Sequence, residues 1–248
     1  MLSSVDLNCD MGEGMVNDAL IMPFLSSVNI ACGYHAGDED TMQQTLELAS
    51  QYQVAAGAHP SFPDRENFGR TEMFLPAATI YDGVKDQVET LLNMAVKYNS
   101  RLHHVKPHGA LYNMAAKDEG LSATICKAII DLDNTLIVYA PSGSKLASVA
   151  RSMQLNTCNE VFADRAYRSD GSLVLRSQPN ALLDSEEALE KQLLDIITRQ
   201  TITAEDGKMF SVKADTICIH GDGKQVVEFA RLINELLYLN NIVLKPMG

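Results

Sequence analysis

Acidic, basic and imidazole side chains recur at nearly equal intervals along the first half of this chain. Asp10, His35 and His59 follow one another at about the length of one strand-plus-helix unit, and Lys106 and His108 follow a later apolar run. Side chains of these types serve in acid–base catalysis and as ligands of divalent metal ions. The carboxyl ends of parallel strands lie on one side of a sheet, so these side chains are expected to face one cavity. The sequence therefore predicts a catalytic group made of these five residues.

Further polar residues lie near predicted strand ends and are candidates for holding a small substrate. Arg70 follows Gly69 in a long loop, and an arginine in such a place is well suited to clamp a carboxylate. Asp164 and Arg165 are adjacent and could instead form a plain ion pair. The candidate substrate-binding residues are Asn8, Glu13, Arg70, Asp164, Arg165 and His220.

Two chemistries fit the set Asp10, His35 and His59. Carboxylate and imidazole groups on successive strands are typical ligands of zinc or another divalent metal ion. The same residue types also make a metal-free acid–base site. The chain has no H-x-x-H or H-E-x-x-H spacing, so the sequence leaves both readings open.

Short apolar runs rich in β-formers alternate with stripes of helical spacing, and this alternation predicts the elements that position the polar residues. It favours parallel strands joined by crossover helices. Seven such units in 248 residues predict a closed or nearly closed (β/α) barrel, with an open doubly wound sheet as the alternative. The predicted strands are 4–8, 28–32, 54–58, 102–106, 136–140, 160–163 and 216–220. The predicted helical stripes are 42–49, 84–96, 189–197 and 226–237.

Two segments interrupt the alternation of strands and helices. Residues 60–76 are too many for a simple turn and are expected to form an active-site loop. Residues 201–213 place turn formers between two short β-like runs and are expected to form a hairpin. Ser142 and Asp184 are predicted to cap helices. No domain boundary is evident, so residues 1–248 are expected to form a single barrel domain.

The charge balance argues against two classes of partner. The chain carries 20 Lys and Arg against 32 Asp and Glu, a net charge of −12, whereas nucleic-acid binding needs a basic face. No apolar stretch approaches the roughly 20 residues of a membrane-spanning helix, and the first residues do not resemble a signal peptide. We therefore expect a cytoplasmic protein without nucleic-acid or membrane partners. The five cysteines form no C-x-x-C pair, and buried free thiols are expected.

Long, ordered motifs extend over nearly the whole chain and resemble those of the LamB/YcsF family. They are Asp6-Leu-Asn-Cys-Asp-Met-Gly-Glu-Gly14, Asn29-Ile-Ala-Cys-Gly-Tyr-His-Ala-Gly-Asp38, Gly57-Ala-His-Pro-Ser-Phe-Pro-Asp64, Phe68-Gly-Arg70, Val105-Lys-Pro-His-Gly-Ala-Leu-Tyr-Asn113, Glu160-Val-Phe-Ala-Asp-Arg165 and Cys218-Ile-His-Gly-Asp222. The resemblance implies a seven-stranded, distorted TIM-like barrel of the glycoside hydrolase/deacetylase type. It also implies ATP-dependent hydrolysis of 5-oxo-L-proline to L-glutamate together with two partner subunits.

The implied reaction suggests that ATP use and ring opening are carried out by different subunits of the complex. A five-membered lactam is an unactivated amide, and ATP can activate it by phosphorylating the lactam oxygen. The chain has no recognisable nucleotide-binding loop, so ATP is expected to act through the partner subunits. The sequence does not decide whether this chain binds a divalent metal ion. Two alternatives remain: a stand-alone metal-dependent amidase or deacetylase, and a non-catalytic substrate-binding subunit.

Expected roles follow for the site residues. Asp10, with His35 or His59, is expected to activate water. Lys106 or His108 is expected to stabilise the oxyanion or to protonate the ring nitrogen. Arg70 or Arg165 is expected to bind the substrate carboxylate.

Overall fold

Seven parallel strands close into a barrel at the centre of the molecule. The computed structural model describes residues 2–98, 100–183, 185–221 and 225–248. The strands of the described residues are β1 (Ser4–Met11), β2 (Ser27–Ala31), β3 (Ala55–His59), β4 (Leu102–Val105), β5 (Ile137–Pro141), β6 (Thr157–Phe162), β7 (Thr201–Thr203), β8 (Met209–Ser211), β9 (Thr216–Ile219) and β10 (Val243–Leu244). The barrel order is β1-β2-β3-β4-β5-β6-β9, and β9 pairs with β1 to close it. The predicted barrel is confirmed, and the open-sheet alternative is wrong.

The strand ends differ from the prediction at two site residues. β1 continues to Met11, so Asp10 lies inside the strand rather than after it, and His59 is the last residue of β3 rather than the first after it. The predicted hairpin is confirmed, since β7 and β8 pair antiparallel. The short strand β10 is not predicted by the sequence pattern, and it pairs in parallel with the first residues of β1.

Eight α-helices of the described residues surround the barrel. They are α1 (Asp18–Ile21), α2 (Glu39–Tyr52), α3 (Ala77–Lys97), α4 (Gly109–Ala115), α5 (Glu119–Leu132), α6 (Lys145–Ser152), α7 (Glu186–Leu194) and α8 (Val226–Leu239). A 3-10 turn (Met22–Phe24) follows α1, and a π-helical turn (Asp195–Arg199) extends α7. The four predicted stripes correspond to α2, α3, α7 and α8.

The predicted helix caps need correction. The side chain of Ser144, not Ser142, accepts the hydrogen bond from the Ala147 N–H at the start of α6. Asp184 lies outside the described residues, and α7 is capped by Ser185, which accepts from the Ala188 N–H. At α2 the cap is Asp38, whose carboxylate accepts from the Thr41 N–H.

Alternate residues of the strands separate an apolar outer layer from a polar barrel interior. Leu7, Cys9 and Met11 of β1 belong to the hydrophobic core cluster that also contains residues of the surrounding helices. Asp6 and Asn8 of the same strand are fully buried and bond to side chains from other strands. All five cysteines are free and buried, as predicted. Among the described residues, no helix has the length and apolar character needed to cross a membrane.

Candidate active site

A cavity of about 970 Å³ opens at the carboxyl ends of the barrel strands. The predicted loop 60–76 lines it with Phe68, Arg70 and Phe74, and the segment after β6 lines it with Arg165 and Arg176. Polar side chains from several strand ends also line it: Asp10, Glu13, His59, Lys106, His108, Glu160 and His220.

Lys106 is a buried ammonium group between two carboxylates. Its Nζ lies 2.8 Å from Glu160 Oε1, 3.0 Å from Asp10 Oδ1 and 3.2 Å from Asn8 Oδ1. Burial alone would lower the pKa of Lys106, but the charges of Asp10 and Glu160 raise it well above its usual value. Burial alone would raise the pKa of Asp10, but His59 and Lys106 hold it well below its usual range. Lys106 therefore stays a cation and Asp10 an anion at neutral pH.

The barrel interior fixes the Asp10 carboxylate through neighbouring strands. Asn29 of β2 donates to Oδ1 of both Asn8 and Asp10 at 2.8 Å. Asn29 is in turn held by the His104 ring, whose Nε2 lies 2.7 Å from Asn29 Oδ1. Tyr112 donates from its hydroxyl to Glu160 Oε2. The position of Asp10 is thus set before any ligand enters.

Three imidazoles and one carboxylate meet beside Asp10. Glu13 Oε1 lies 3.1 Å from His35 Nε2, 3.5 Å from His108 Nδ1 and 3.9 Å from His59 Nε2. The His35 and His108 rings stack with centroids 3.8 Å apart, and His59 Nε2 lies 3.3 Å from Asp10 Oδ2. Burial lowers the pKa of His35 to about 3 and that of His108 well below its usual value, so both rings are neutral near pH 7.

The loop 60–76 approaches these rings closely, and a glycine makes the approach possible. Gly69 has φ of +67°, and a Cβ at this position would lie 2.9 Å from His108 Cδ2 and 3.0 Å from His35 Cβ. The preceding residue, Phe68, provides a carbonyl 2.9 Å from His108 Nε2. Because a larger residue would strike the rings, Gly69 suits this position for both its conformation and its size.

A second ionisable pair follows strands β6 and β9, and β9 is a neighbour of β1 in the barrel. Asp164 accepts hydrogen bonds of 3.0 Å from the backbone N–H and Nδ1 of His220. Burial alone would raise the pKa of Asp164, but His220 lowers it below its usual value. The His220 ring stacks on Phe162 with centroids 5.4 Å apart, which fixes the ring at the cavity wall.

The two arginines expected to bind a carboxylate occupy different environments. The Arg165 guanidinium is buried and donates to the carbonyls of Ala181 and Val174. Arg70 is exposed at the cavity rim, with its guanidinium carbon 4.9 Å from the centre of the Phe68 ring. Arg70 is therefore better placed to meet an entering anion.

Three predicted site residues do not line the cavity. His35 is only 1% exposed and reaches the cavity through Glu13. Asn8 is fully buried and donates to Glu160 and Thr216, so it holds the interior network rather than a substrate. Asp164 does not line the cavity itself but contacts His220, which does.

The structure brings four possible metal ligands together. Glu13, His35, His59 and His108 offer ligand atoms that all lie within 4.8 Å of one another. Of the set expected from strand spacing, His35 and His59 belong to this group, and Asp10 lies beside it with Oδ2 3.3 Å from His59 Nε2. Glu13 and His108 are the two members that strand spacing did not predict as metal ligands.

Several residues that build the site have no role predicted from the sequence. Glu160 lies inside β6 and Asn29 inside β2, and both are buried. A charged or amide side chain within a buried strand is the signal that could have identified them. Ser61 and Tyr112 carry no comparable signal, since both residue types are common at such positions without a function.

A closed barrel of parallel strands with ionisable groups collected at its carboxyl end defines a TIM-like (β/α) barrel of the enzyme type. The model of the LamB/YcsF family matches residues 5–248, and the chain belongs to this family. It is similar to a protein of Tolumonas auensis named as the A subunit of 5-oxoprolinase, with 48% identity over 99% of this chain and 100% of that protein.

Solved structures agree with this assignment. The lactam utilization protein of Thermus thermophilus matches with a TM-score of 0.90 at 35% identity, covering 98% of this chain and 100% of that one. A family 4 carbohydrate esterase of Streptomyces lividans shares the fold, with a TM-score of 0.50 at 11% identity, covering 99% of this chain and 93% of that one. The expected relation to deacetylase-type barrels is confirmed at the level of fold.

Proposed function

We propose that this chain is the A subunit of a 5-oxoprolinase and contributes the site that opens the lactam ring. The proposal is carried by one observation, an Asp10 carboxylate held anionic by buried Lys106 beside His59 at a cavity wall. It is supported by full-length similarity to proteins named as the A subunit of 5-oxoprolinase. The reaction would be ATP-dependent hydrolysis of the cyclic amide of 5-oxo-L-proline to L-glutamate.

Asp10 and His59 are the residues proposed to position and deprotonate water. Both line the cavity, and Asp10 Oδ2 lies 3.3 Å from His59 Nε2. The other oxygen of Asp10, Oδ1, is held by Asn29 and Lys106, so Oδ2 is the one directed to a reacting water. A carboxylate fixed in this way loses little entropy when it orients the nucleophile.

The role of Lys106 is proposed to be electrostatic positioning. Its Nζ lies within 3.2 Å of acceptors on Glu160, Asp10, Asn8 and Cys218. With its protons directed to these groups, Lys106 keeps Asp10 ionised rather than binding the oxyanion itself. His220 lines the cavity and is the better candidate for proton transfer to the leaving nitrogen, because the N–H of the neutral His108 ring is held by the Phe68 carbonyl.

Substrate binding and ATP use complete the proposal. The exposed guanidinium of Arg70 at the cavity rim is suited to the substrate carboxylate. The cavity of about 970 Å³ is larger than a five-membered lactam needs, which leaves room for a phosphorylated intermediate or a segment of a partner. ATP is proposed to be used by two partner subunits.

The test is reconstitution of the complex with both partner subunits and measurement of glutamate release from 5-oxoproline and ATP. We expect Asp10→Asn and His59→Ala to lower kcat by about 100-fold or more, while the complex assembles normally. Asp82→Asn is the matched control, because Asp82 is exposed on α3 and does not line the cavity, and its activity should be unchanged. Full activity of both site variants would remove the proposal, as would turnover by this chain alone without ATP.

A further inference from the structure

We propose that Glu13, His35, His59 and His108 bind one divalent transition-metal ion, with Zn(II) as the ion that best fits the donors. The proposal concerns binding by this chain alone and does not depend on the proposed reaction. It rests on the convergence of four ligand atoms, which all lie within 4.8 Å of one another, and on the contacts that orient the three rings.

Each of the three rings has one nitrogen held by an acceptor outside the group. His59 Nδ1 lies 2.7 Å from the Lys106 carbonyl, and His108 Nε2 lies 2.9 Å from the Phe68 carbonyl. A carbonyl only accepts hydrogen bonds, so these two nitrogens carry the protons. His35 Nδ1 lies 2.9 Å from Ser61 Oγ.

The Ser61 hydroxyl also orients His35. Ser61 Oγ donates its single proton to the Phe62 carbonyl at 2.9 Å. Its lone pairs are then available to the Nδ1–H of His35, and that tautomer leaves Nε2 directed to Glu13. The nitrogens left for a ligand are His35 Nε2, His59 Nε2 and His108 Nδ1, which lie 3.1, 3.9 and 3.5 Å from Glu13 Oε1.

Two of these nitrogens lie in direct contact. His59 Nε2 and His108 Nδ1 are 2.9 Å apart, and the other nitrogen of each ring lies within hydrogen-bond distance of a carbonyl. A cation between them would be bound by both nitrogens. A shared proton would satisfy these two nitrogens alone, whereas a metal ion also accounts for the convergence of His35 and the Glu13 carboxylate.

The spacing and surroundings match a metal site. Zinc bound to nitrogen or oxygen at about 2.0–2.1 Å places neighbouring ligand atoms about 3–3.5 Å apart. The separations here are 2.9 Å between His59 and His108, and 3.1, 3.5 and 3.9 Å from Glu13 to His35, His108 and His59. All four ligand atoms lie within 4.8 Å of one another, so binding would draw them slightly closer together. Metal-binding imidazoles usually donate their other N–H to an oxygen acceptor, as all three do here.

The site would lie next to Asp10, whose Oδ2 is 3.3 Å from His59 Nε2. A bound divalent ion supplies Lewis acidity and makes a coordinated water more acidic. Glu13, His59 and His108 also line the cavity, so the ion would be reached from the same side as a substrate. Asp10 is not one of the four proposed ligands.

The experiment is titration of the chelator-stripped chain with Zn(II) by calorimetry and with Co(II) by visible absorption. We expect one equivalent to bind, with a Co(II) spectrum of nitrogen and oxygen ligands and no thiolate band. Glu13→Gln and His35→Ala should weaken binding at least tenfold. Ser61→Ala, which removes only the acceptor that orients His35, should weaken it about 10-fold or more and keeps the test valid if His35→Ala does not fold.

Two matched controls separate this site from adventitious binding. Glu72→Gln removes an exposed carboxylate that also lines the cavity, and His103→Ala removes a histidine outside the group. Both should bind as the wild type does, within about twofold. The proposal is overturned if the wild type binds none of these ions at one equivalent, if binding survives all three site substitutions, or if the Co(II) spectrum shows thiolate ligation.

Discussion

A buried cation, Lys106, links the two carboxylates on which the proposed chemistry depends. It is 2% exposed and joins Asp10 of β1 to Glu160 of β6 across the barrel. Removing one partner from a buried ion pair leaves an uncompensated charge in a medium of low polarity. The stability of the barrel interior and the ionisation of Asp10 therefore depend on the same side chain.

We predict that Lys106→Met lowers the free energy of unfolding by about 3–5 kcal/mol, because two carboxylates lose their shared cation. Urea denaturation at pH 7 measures the change. Lys145→Met is the matched control, since Lys145 pairs with Glu119 on the surface with 51% and 67% of the side chains exposed. The control should lose less than about 1 kcal/mol, and equal losses in the two variants would contradict the prediction.

Residues at strand ends can be predicted from sequence, whereas their partners cannot. The intervals between Asp10, His35 and His59 follow from the length of a strand-plus-helix unit, which is a local property of the chain. The bond from Asn8 to Glu160 joins positions 152 residues apart and depends on how the barrel closes. For the same reason the sequence predicts Glu13 only as a substrate contact, although its carboxylate meets three histidines.

Among the helices, the start of α6 shows that a capping residue must stand at one particular position before the first turn. Ser144 Oγ accepts from the Ala147 N–H at 3.1 Å, which satisfies one of the free donors of the first turn. Ser142, the cap expected from sequence, instead accepts from the Lys213 N–H at 2.9 Å. Two serines two positions apart therefore have different roles.

We predict that Ser144→Ala lowers the free energy of unfolding by about 1 kcal/mol, because the first turn of α6 loses its cap. Ser142→Ala, the matched control, removes an exposed contact and should change it by less than about 0.5 kcal/mol. Thermal and urea unfolding of both variants check the prediction. A larger loss in Ser142→Ala than in Ser144→Ala would restore the assignment made from the sequence.

Long periodic elements are predictable, while short ones are not. The stripes of α2, α3, α7 and α8 cover several turns, so their period is distinct. α4 has seven residues and β10 has two, which are too few for a period to show. α5 is absent from the predicted stripes although Asp118 caps it and Leu121, Ile125 and Ile129 recur with helical spacing; here the sequence carries the signal.

For the whole molecule, barrel closure brings the ends of β6 and β9 together. β9 pairs with both β6 and β1, and the Asp164–His220 contact joins the segments that follow β6 and β9. Because Asp164 has a pKa below its usual value in the folded state, folding favours its ionised form. This contribution is complete above the unfolded-state pKa of about 3.9 and is lost as the pH falls through the lower, folded-state value.

We predict that Asp164→Asn lowers the free energy of unfolding by about 2 kcal/mol at pH 7, since two hydrogen bonds to a charged acceptor are weakened. The difference from the wild type should shrink below about pH 4, where the wild-type carboxyl is itself protonated in the unfolded chain and then in the folded one. Urea titrations at pH 7, 5, 4 and 3 measure it, with exposed Asp82→Asn on α3 expected to stay within about 0.5 kcal/mol. A difference that stays constant across this range would show that Asp164 stabilises the closed barrel by packing rather than by its charge.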